Sequence, residues 1–152
     1  MKHRHYNFVS TWHVSAPVGT VEAAILDINS WKQWWDGLED GRVVTHNGDI
    51  VGGVITCTWK SLAGYHLTMR LTITDYLPQQ RIVFRSDGDL VGEGSWAFQT
   101  TAEGGTQMDI AWNVTTTKTW MNLFGPVLRP LFVQNHHILM CKGEQGLQEY
   151  VG

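Results

Sequence analysis

The stretch that decides the fold runs from Gly88 to Val151. It reads GDLVGEGSWAFQTTAEGGTQMDIAWNVTTT over 88–117 and KTWMNLFGPVLRPLFVQNHHILMCKGEQGLQEYV over 118–151. The first part alternates. Trp96 and Phe98 share one phase, and Glu93, Ser95 and Gln99 take the other. After Glu103-Gly104-Gly105 the alternation resumes with Met108, Ile110, Trp112, Val114 and Thr116 on one side. Period-two alternation marks half-buried strands, and a glycine pair between two such runs marks a hairpin turn. The second part has helical spacing. At 100° per residue, Phe132, Val133, Leu139, Met140, Leu147 and Tyr150 fall on one face, with His136 and Gly143 in its middle. His137, Gln134 and Gln148 fall on the flank or outside. One long helix is predicted, with Thr119 as its N-cap and interruptions or kinks at Gly125-Pro126 and Arg129-Pro130. A sheet gripping a helix that carries small residues at the contact predicts an internal cavity, so function is expected in a pocket.

Working outward, Tyr6, Phe8, Ser10, Trp12 and Val14 share the phase of a first strand. Ala16-Pro17 ends it, and Pro17 suits the first turn of a helix. Val18, Val21, Ala24, Ile25 and Ile28 recur at helical spacing, and Asn29-Ser30 leads into a second short helix over WKQWWDGL. A modest strand is expected over Arg42–Asn47, closed by a turn at Asn47-Gly48-Asp49. Another is expected over Val54–Lys60, with Ile55, Cys57 and Trp59 in one phase. Tyr65, Leu67, Met69, Leu71 and Ile73 alternate with polar residues in the cleanest half-buried strand of the chain. After a turn at Leu77–Gln80, Ile82 and Phe84 point inward and Arg81 and Arg85 outward. Gly92 and Gly94 occupy the inward phase of the next strand, which signals a bulge or a close approach of another chain segment. The predicted architecture is α+β. Seven antiparallel strands curl round a long C-terminal helix, with two short helices between strands 1 and 2, in one domain over 1–152.

Composition narrows the function classes. The 152 residues are 43% hydrophobic and only 16% charged, which favours a packed core over disorder. The formal net charge is −3 and no basic cluster exceeds the Lys2–Arg4 end, so nucleic acid is not an expected partner. No run approaches the roughly 20 apolar residues of a membrane span. Two cysteines, Cys57 and Cys141, and an N-terminus without an apolar signal core point to the cytoplasm. Oligomeric state is not legible.

The chemistry-bearing residues are few. His136, on the apolar side of the closing helix, could donate to a ligand carbonyl or act as acid or base, or serve as a buried histidine bonded within the core. Trp59, Trp96 and Trp112 share the inward phase of three strands, where flat rings would line a pocket or fill a core. Tyr65 and Thr116 could place hydroxyls there. Met69 and Met140 complete the expected lining. Trp34 and Trp35 read as a cavity gate. Trp31, Trp34 and Trp35, if exposed, would instead serve as a partner-docking face. Cys57 reads as a small buried hydrophobe. Arg70, Arg81, Arg85, Glu93 and Asp109 fall in outward phases, although a bulge near Gly92 or Gly94 would turn Glu93 or an arginine inward. His136 and His137 are adjacent and cannot face one metal from a helix, His3 and His5 lie at the terminus, and no paired metal-ligand spacing occurs. No metal or cofactor is expected.

Several pieces together resemble the START-like helix-grip superfamily, in its polyketide cyclase/dehydrase (SRPBCC) branch. They are Ala16-Pro17, Trp34-Trp35, Gly88-Asp89-Leu90 with Gly92, Gly94 and Trp96, then Gly105-Thr106, Trp112, Thr117-Lys118-Thr119-Trp120-Met121, Arg129-Pro130 and Asn135-His136. The resemblance covers nearly the whole chain and implies a helix-grip fold. The family contains lipid carriers, hormone receptors and cyclases, so fold alone leaves activity open. The expectation is a cavity for a hydrophobic small molecule, lipid- or polyketide-like. The alternatives are a polyketide cyclase/dehydratase with His136 as proton shuttle, and a partner-binding module using Trp31, Trp34 and Trp35. Family cyclases place an arginine and other polar groups in the cavity, and no inward arginine is found here by periodicity.

Overall fold

Alternation in β1 (His5–Val14) puts Tyr6, Phe8, Trp12 and Val14 inside and leaves His5, Asn7, Val9, Thr11 and His13 in solvent. The same rule builds the rest of the sheet: β2 (Leu38–Thr45), β3 (Val54–Lys60), β4 (His66–Leu77), β5 (Arg81–Gly88), β6 (Leu90–Thr100) and β7 (Thr106–Thr116). The structure is a computed structural model and describes residues 5–45, 48–61, 64–119 and 125–152. All neighbours pair antiparallel, in the order β1-β7-β6-β5-β4-β3-β2. The chain's first strand thus returns to pair with its last, so β1 and β2 form the two edges. Between them in sequence lie α1 (Val18–Leu26), a 3-10 turn (Ile28–Ser30) and α2 (Trp31–Trp34). The long helix α3 (Gly125–Val151) lies across the buried face.

The helix is tied to the sheet edge by hydrogen bonds as well as apolar contact. The backbone N–H of His13 donates to Glu144 Oε2 at 2.8 Å, and that of Ser15 to Gln148 Oε1 at 2.6 Å. Arg129 donates to the His5 carbonyl at 2.8 Å. Edge groups that would otherwise invite another strand are therefore partly covered from within. Glycines set the closest approaches. A Cβ on Gly146 would run into the Trp34 carbonyl oxygen, and one on Gly143 would lie 2.6 Å from both the Trp12 and Trp35 rings. The small residues of α3 therefore admit β1 and α2 together, not the sheet alone.

The structure corrects several local expectations. β2 begins at Leu38, where Leu38 pairs with Trp59, and not at Arg42. β4 starts at His66, after Tyr65, and continues past a register shift between Ile73 and Asp75 as far as Leu77. Gly92 and Gly94 cause no bulge, since β6 keeps an unbroken register with both neighbours. They mark close approach instead: a Gly94 Cβ would overlap the rings of Trp112 and Phe84. The phase therefore holds, and Glu93 faces solvent with Arg70, Arg81 and Arg85. On α3, Val133 is 41% exposed and Tyr150 44% exposed, because the buried stripe is narrower than the helical projection suggested. It runs through Phe132, Met140, Gly143 and Leu147. α3 passes unbroken through Pro130, close enough to its start that the missing N–H affects only the early turns. The helix expected across 120–124, the Trp120-Met121 part of the motif, Lys2, His3 and Arg4, and Asn47 of the predicted turn lie outside the described residues.

Candidate functional site

Between the sheet and α3 lies a cavity that is partly open to solvent. It offers about 140 Å³ of room for the centres of water molecules, against about 10–15 Å³ for one water. Of the 26 described residues that line it, 21 carry apolar aliphatic, thioether or aromatic side chains, the indoles included. The remaining five are Lys60, Ser61, Tyr65, Asn135 and His136, and no Asp, Glu or Arg is among them. Strand alternation explains this composition, because the inward positions of β3 to β7 that border the space carry apolar residues.

The wall has two chemically different regions. At one, α2 and the strands bring tryptophans together. Trp31 and Trp96 stack with centroids 5.9 Å apart and planes 4° apart. Trp35 meets Trp59 edge-on at 4.8 Å and lies 6.0 Å from Trp96. Indole N–H groups fix these rings from behind: Trp31 donates to the Ile25 carbonyl at 2.9 Å and Trp35 to the Leu139 carbonyl at 3.0 Å. Such offset and edge contacts add to the burial of large rings. At the other region, Phe8 of β1 stacks face to face on His136, with centroids 3.8 Å and planes 11° apart. Ser61 and Tyr65 reach the cavity from either end of the β3–β4 connection. They are joined by a Ser61 N–H to Tyr65 carbonyl bond of 2.9 Å, and the Tyr65 N–H donates to Ser61 Oγ at 3.2 Å.

Burial governs ionisation here. The His136 imidazole is pushed down to about 4, chiefly by loss of solvent around the charged form, with a smaller push from neighbouring His137. The Tyr65 phenol is pushed up to about 12 by burial. A Ser61 hydrogen bond opposes the rise and Tyr6 adds to it. At neutral pH both groups are uncharged. Cys57 is fully buried, lies off the wall, and burial pushes its thiol up to about 12, which leaves it inert.

Of the residues singled out from sequence, Trp59, Tyr65, Met69, Trp96, Trp112, His136 and Met140 all border the cavity, and so does Trp35. Thr116 is buried but lies off the wall, where it pairs with Leu90 at the far end of β7. Trp34 sits behind the wall, stacked on Trp35 at 5.4 Å and on Tyr150 at 6.4 Å, with its N–H donating to Ser30 Oγ at 3.3 Å. Trp31, Trp34 and Trp35 are all buried, which removes the exposed face that the partner-docking alternative requires. Phe8, Ser61 and Asn135 were not singled out as lining. The phase of β1 pointed to Phe8. No sequence signal pointed to Ser61, which follows the last residue of β3. Glu22 was also missed. Its buried carboxylate accepts from Tyr76 Oη at 3.0 Å and from the Gln79 N–H, and so pins α1 to the β4–β5 turn. Among the described residues no cluster of three or more His, Cys, Asp or Glu side chains is placed to hold a metal. No described helix is long and apolar enough to cross a membrane.

A family model described as polyketide cyclase/dehydrase and lipid transport matches residues 5–138. No curated protein matches the chain in sequence. Among solved structures, TTHA0849 from Thermus thermophilus superposes with a TM-score of 0.82 at 21% identity, covering 96% of this chain and 97% of that one. The Zhui aromatase/cyclase from Streptomyces sp. R1128 superposes with a TM-score of 0.76 at 13% identity, over 97% and 93% of the two chains. A START superfamily protein from Mycobacterium smegmatis gives 0.75 at 14% identity, over 95% and 96%. At these identities the likeness is one of fold.

Proposed function

The chain belongs to the polyketide cyclase/dehydrase and lipid transport family, and from that premise we propose that it holds a hydrophobic small molecule, lipid- or polyketide-like, in the sheet–helix cavity as a binding protein. The observation that carries this reading is the wall itself: 21 of the 26 described lining residues are apolar, and none of the 26 carries a carboxylate. A binding protein needs only volume and desolvated apolar surface. Each Å² of ligand surface removed from water contributes about 25 cal/mol before the cost of association. Native mass spectrometry of the protein purified from its own host, followed by denaturing extraction, tests the idea. A hydrophobic compound is expected to be retained in the native state and released on denaturation. Met69→Trp, which fills the cavity, is expected to abolish uptake of the uncharged dye N-phenyl-1-naphthylamine. Unchanged uptake by that variant would place binding elsewhere and sink the reading.

A second reading, cyclisation or dehydration of a poly-β-keto substrate, is favoured by one observation: His136 and Tyr65 are two titratable groups on the same wall. A neutral imidazole can accept a proton and a phenol can donate one. His136→Ala separates the two readings. A carrier keeps ligand affinity within a few fold and has no turnover to lose. An enzyme keeps binding and loses turnover of poly-β-keto analogues.

A further inference from the structure

Four uncharged polar side chains, Ser61, Tyr65, Asn135 and His136, are among the described residues that border the cavity. His136 stacks on Phe8 at 3.8 Å, and Phe132, one turn earlier, meets Tyr6 at 4.4 Å. Tyr65 lies close enough to Tyr6 that the two phenols oppose each other's ionisation, and Ser61 is joined to Tyr65 by two hydrogen bonds. Trp31, Trp35, Trp59 and Trp96 border the same space, so a ligand that meets the polar groups also meets indole rings.

We propose that the ligand seats an uncharged oxygen, the carbonyl of a ketone or ester or a hydroxyl, among Ser61, Tyr65, Asn135 and His136, lays its apolar body against the tryptophans, and is selected over the carboxylate of the same skeleton. This assignment rests on the binding reading above. The phenol of Tyr65, the amide of Asn135 and one imidazole N–H of His136 are donors, and Asn135, Ser61 and the other imidazole nitrogen are acceptors. None of them carries charge at neutral pH, so none neutralises an anion. A carboxylate drawn among these four groups would shed its water with no cationic group among them to replace it. Among the described lining residues Lys60 alone is charged; it is at the end of β3 with its side chain exposed, and Arg129 lies off the wall, over the Tyr6 ring at 4.4 Å. A site built to hydrogen-bond one oxygen discriminates strongly against ligands that mismatch it.

The test is displacement of N-phenyl-1-naphthylamine at pH 7.5 by 2-decanone, 1-decanol and decanoate, which share one chain length. The ketone and alcohol are expected to bind at least tenfold more tightly than decanoate. Tyr65→Phe and His136→Phe each keep an aromatic ring and remove a hydrogen-bonding group; with each ligand's affinity measured against the dye's own affinity for the same variant, the ketone's advantage over decanoate is expected to fall severalfold. Decanoate binding as tightly as decanone would overturn the selection, and its loss in Lys60→Ala would then place the carboxylate at the rim. A preference left intact in both variants would overturn the assignment to these residues. Failure of the dye and of all three ligands to bind would remove the binding reading itself, and this inference with it.

Discussion

His136 shows how one residue couples stability to pH. Its folded pKa, about 4, lies below the ordinary value of 6.5. Between those values the unfolded chain takes up a proton that the folded chain refuses, so stability is full above about pH 6.5 and falls as pH drops towards 4. The loss is on the order of 3 kcal/mol. Urea unfolding at a series of pH values is expected to show it, and His136→Phe, which keeps the stack on Phe8, is expected to flatten that part of the profile. Two glycines make a contrasting pair. Gly19 in α1 has room for a methyl group, with the flexible Gln79 side chain 3.4 Å away as its nearest contact. Gly19→Ala is expected to stabilise by about 0.5 kcal/mol. Gly146→Ala would drive its methyl into the Trp34 carbonyl, which is backbone and cannot swing aside. It is expected to cost more than about 2 kcal/mol, and thermal unfolding of the two variants checks both signs. At this scale sequence reading was uneven. It found that glycines interrupt the apolar stripe of α3, but not that the contact behind Gly146 is α2, because helical spacing describes one element and says nothing of its neighbour.

Among elements, α1 is held to the sheet by a buried carboxylate as well as by apolar packing. Glu22 satisfies the Tyr76 hydroxyl and the Gln79 N–H from a buried position, and burial together with this bond raises the Tyr76 pKa. Glu22→Ala would strand both donors, and a loss of about 2–3 kcal/mol is expected by urea unfolding. Periodicity could not reveal this carboxylate, since a buried acid within an amphipathic helix looks like an ordinary solvated one until its partners arrive from β4 and the following turn. Gly143→Leu acts between elements too. Its side chain would displace Trp12 and Trp35, and Trp35 is part of the cavity wall. Both stability and dye uptake are expected to fall, and normal uptake would show that the wall tolerates movement of Trp35.

For the whole molecule, a filled cavity predicts ligand-dependent stability. A ligand present at a hundred times its Kd adds about 2.7 kcal/mol, which for a chain of this size raises Tm by roughly 6–10 °C. Met69→Trp is expected to abolish that shift while unfolding with its own single transition. A rise of equal size in the variant would mean that the ligand binds outside the cavity.

The sequence by itself determined the order of elements and the inward phase of each strand. Alternation is a local property: a strand has two faces, and each residue's side follows from its neighbours one and two positions away. The same locality made Trp59, Met69, Trp96 and Trp112 readable as inward residues, and kept Glu93 and the sheet arginines outside once β6 proved unbroken. Only the tertiary structure decided which inward residues border a cavity and which fill the core behind it. Trp35 and Trp34 are adjacent in sequence, yet one borders the space and the other lies behind it. It also decided ionisation. Desolvation depends on everything packed around a group, so the lowered pKa of His136 and the raised pKa of Tyr65 arise from elements distant in sequence meeting in space, a meeting that no window of sequence contains.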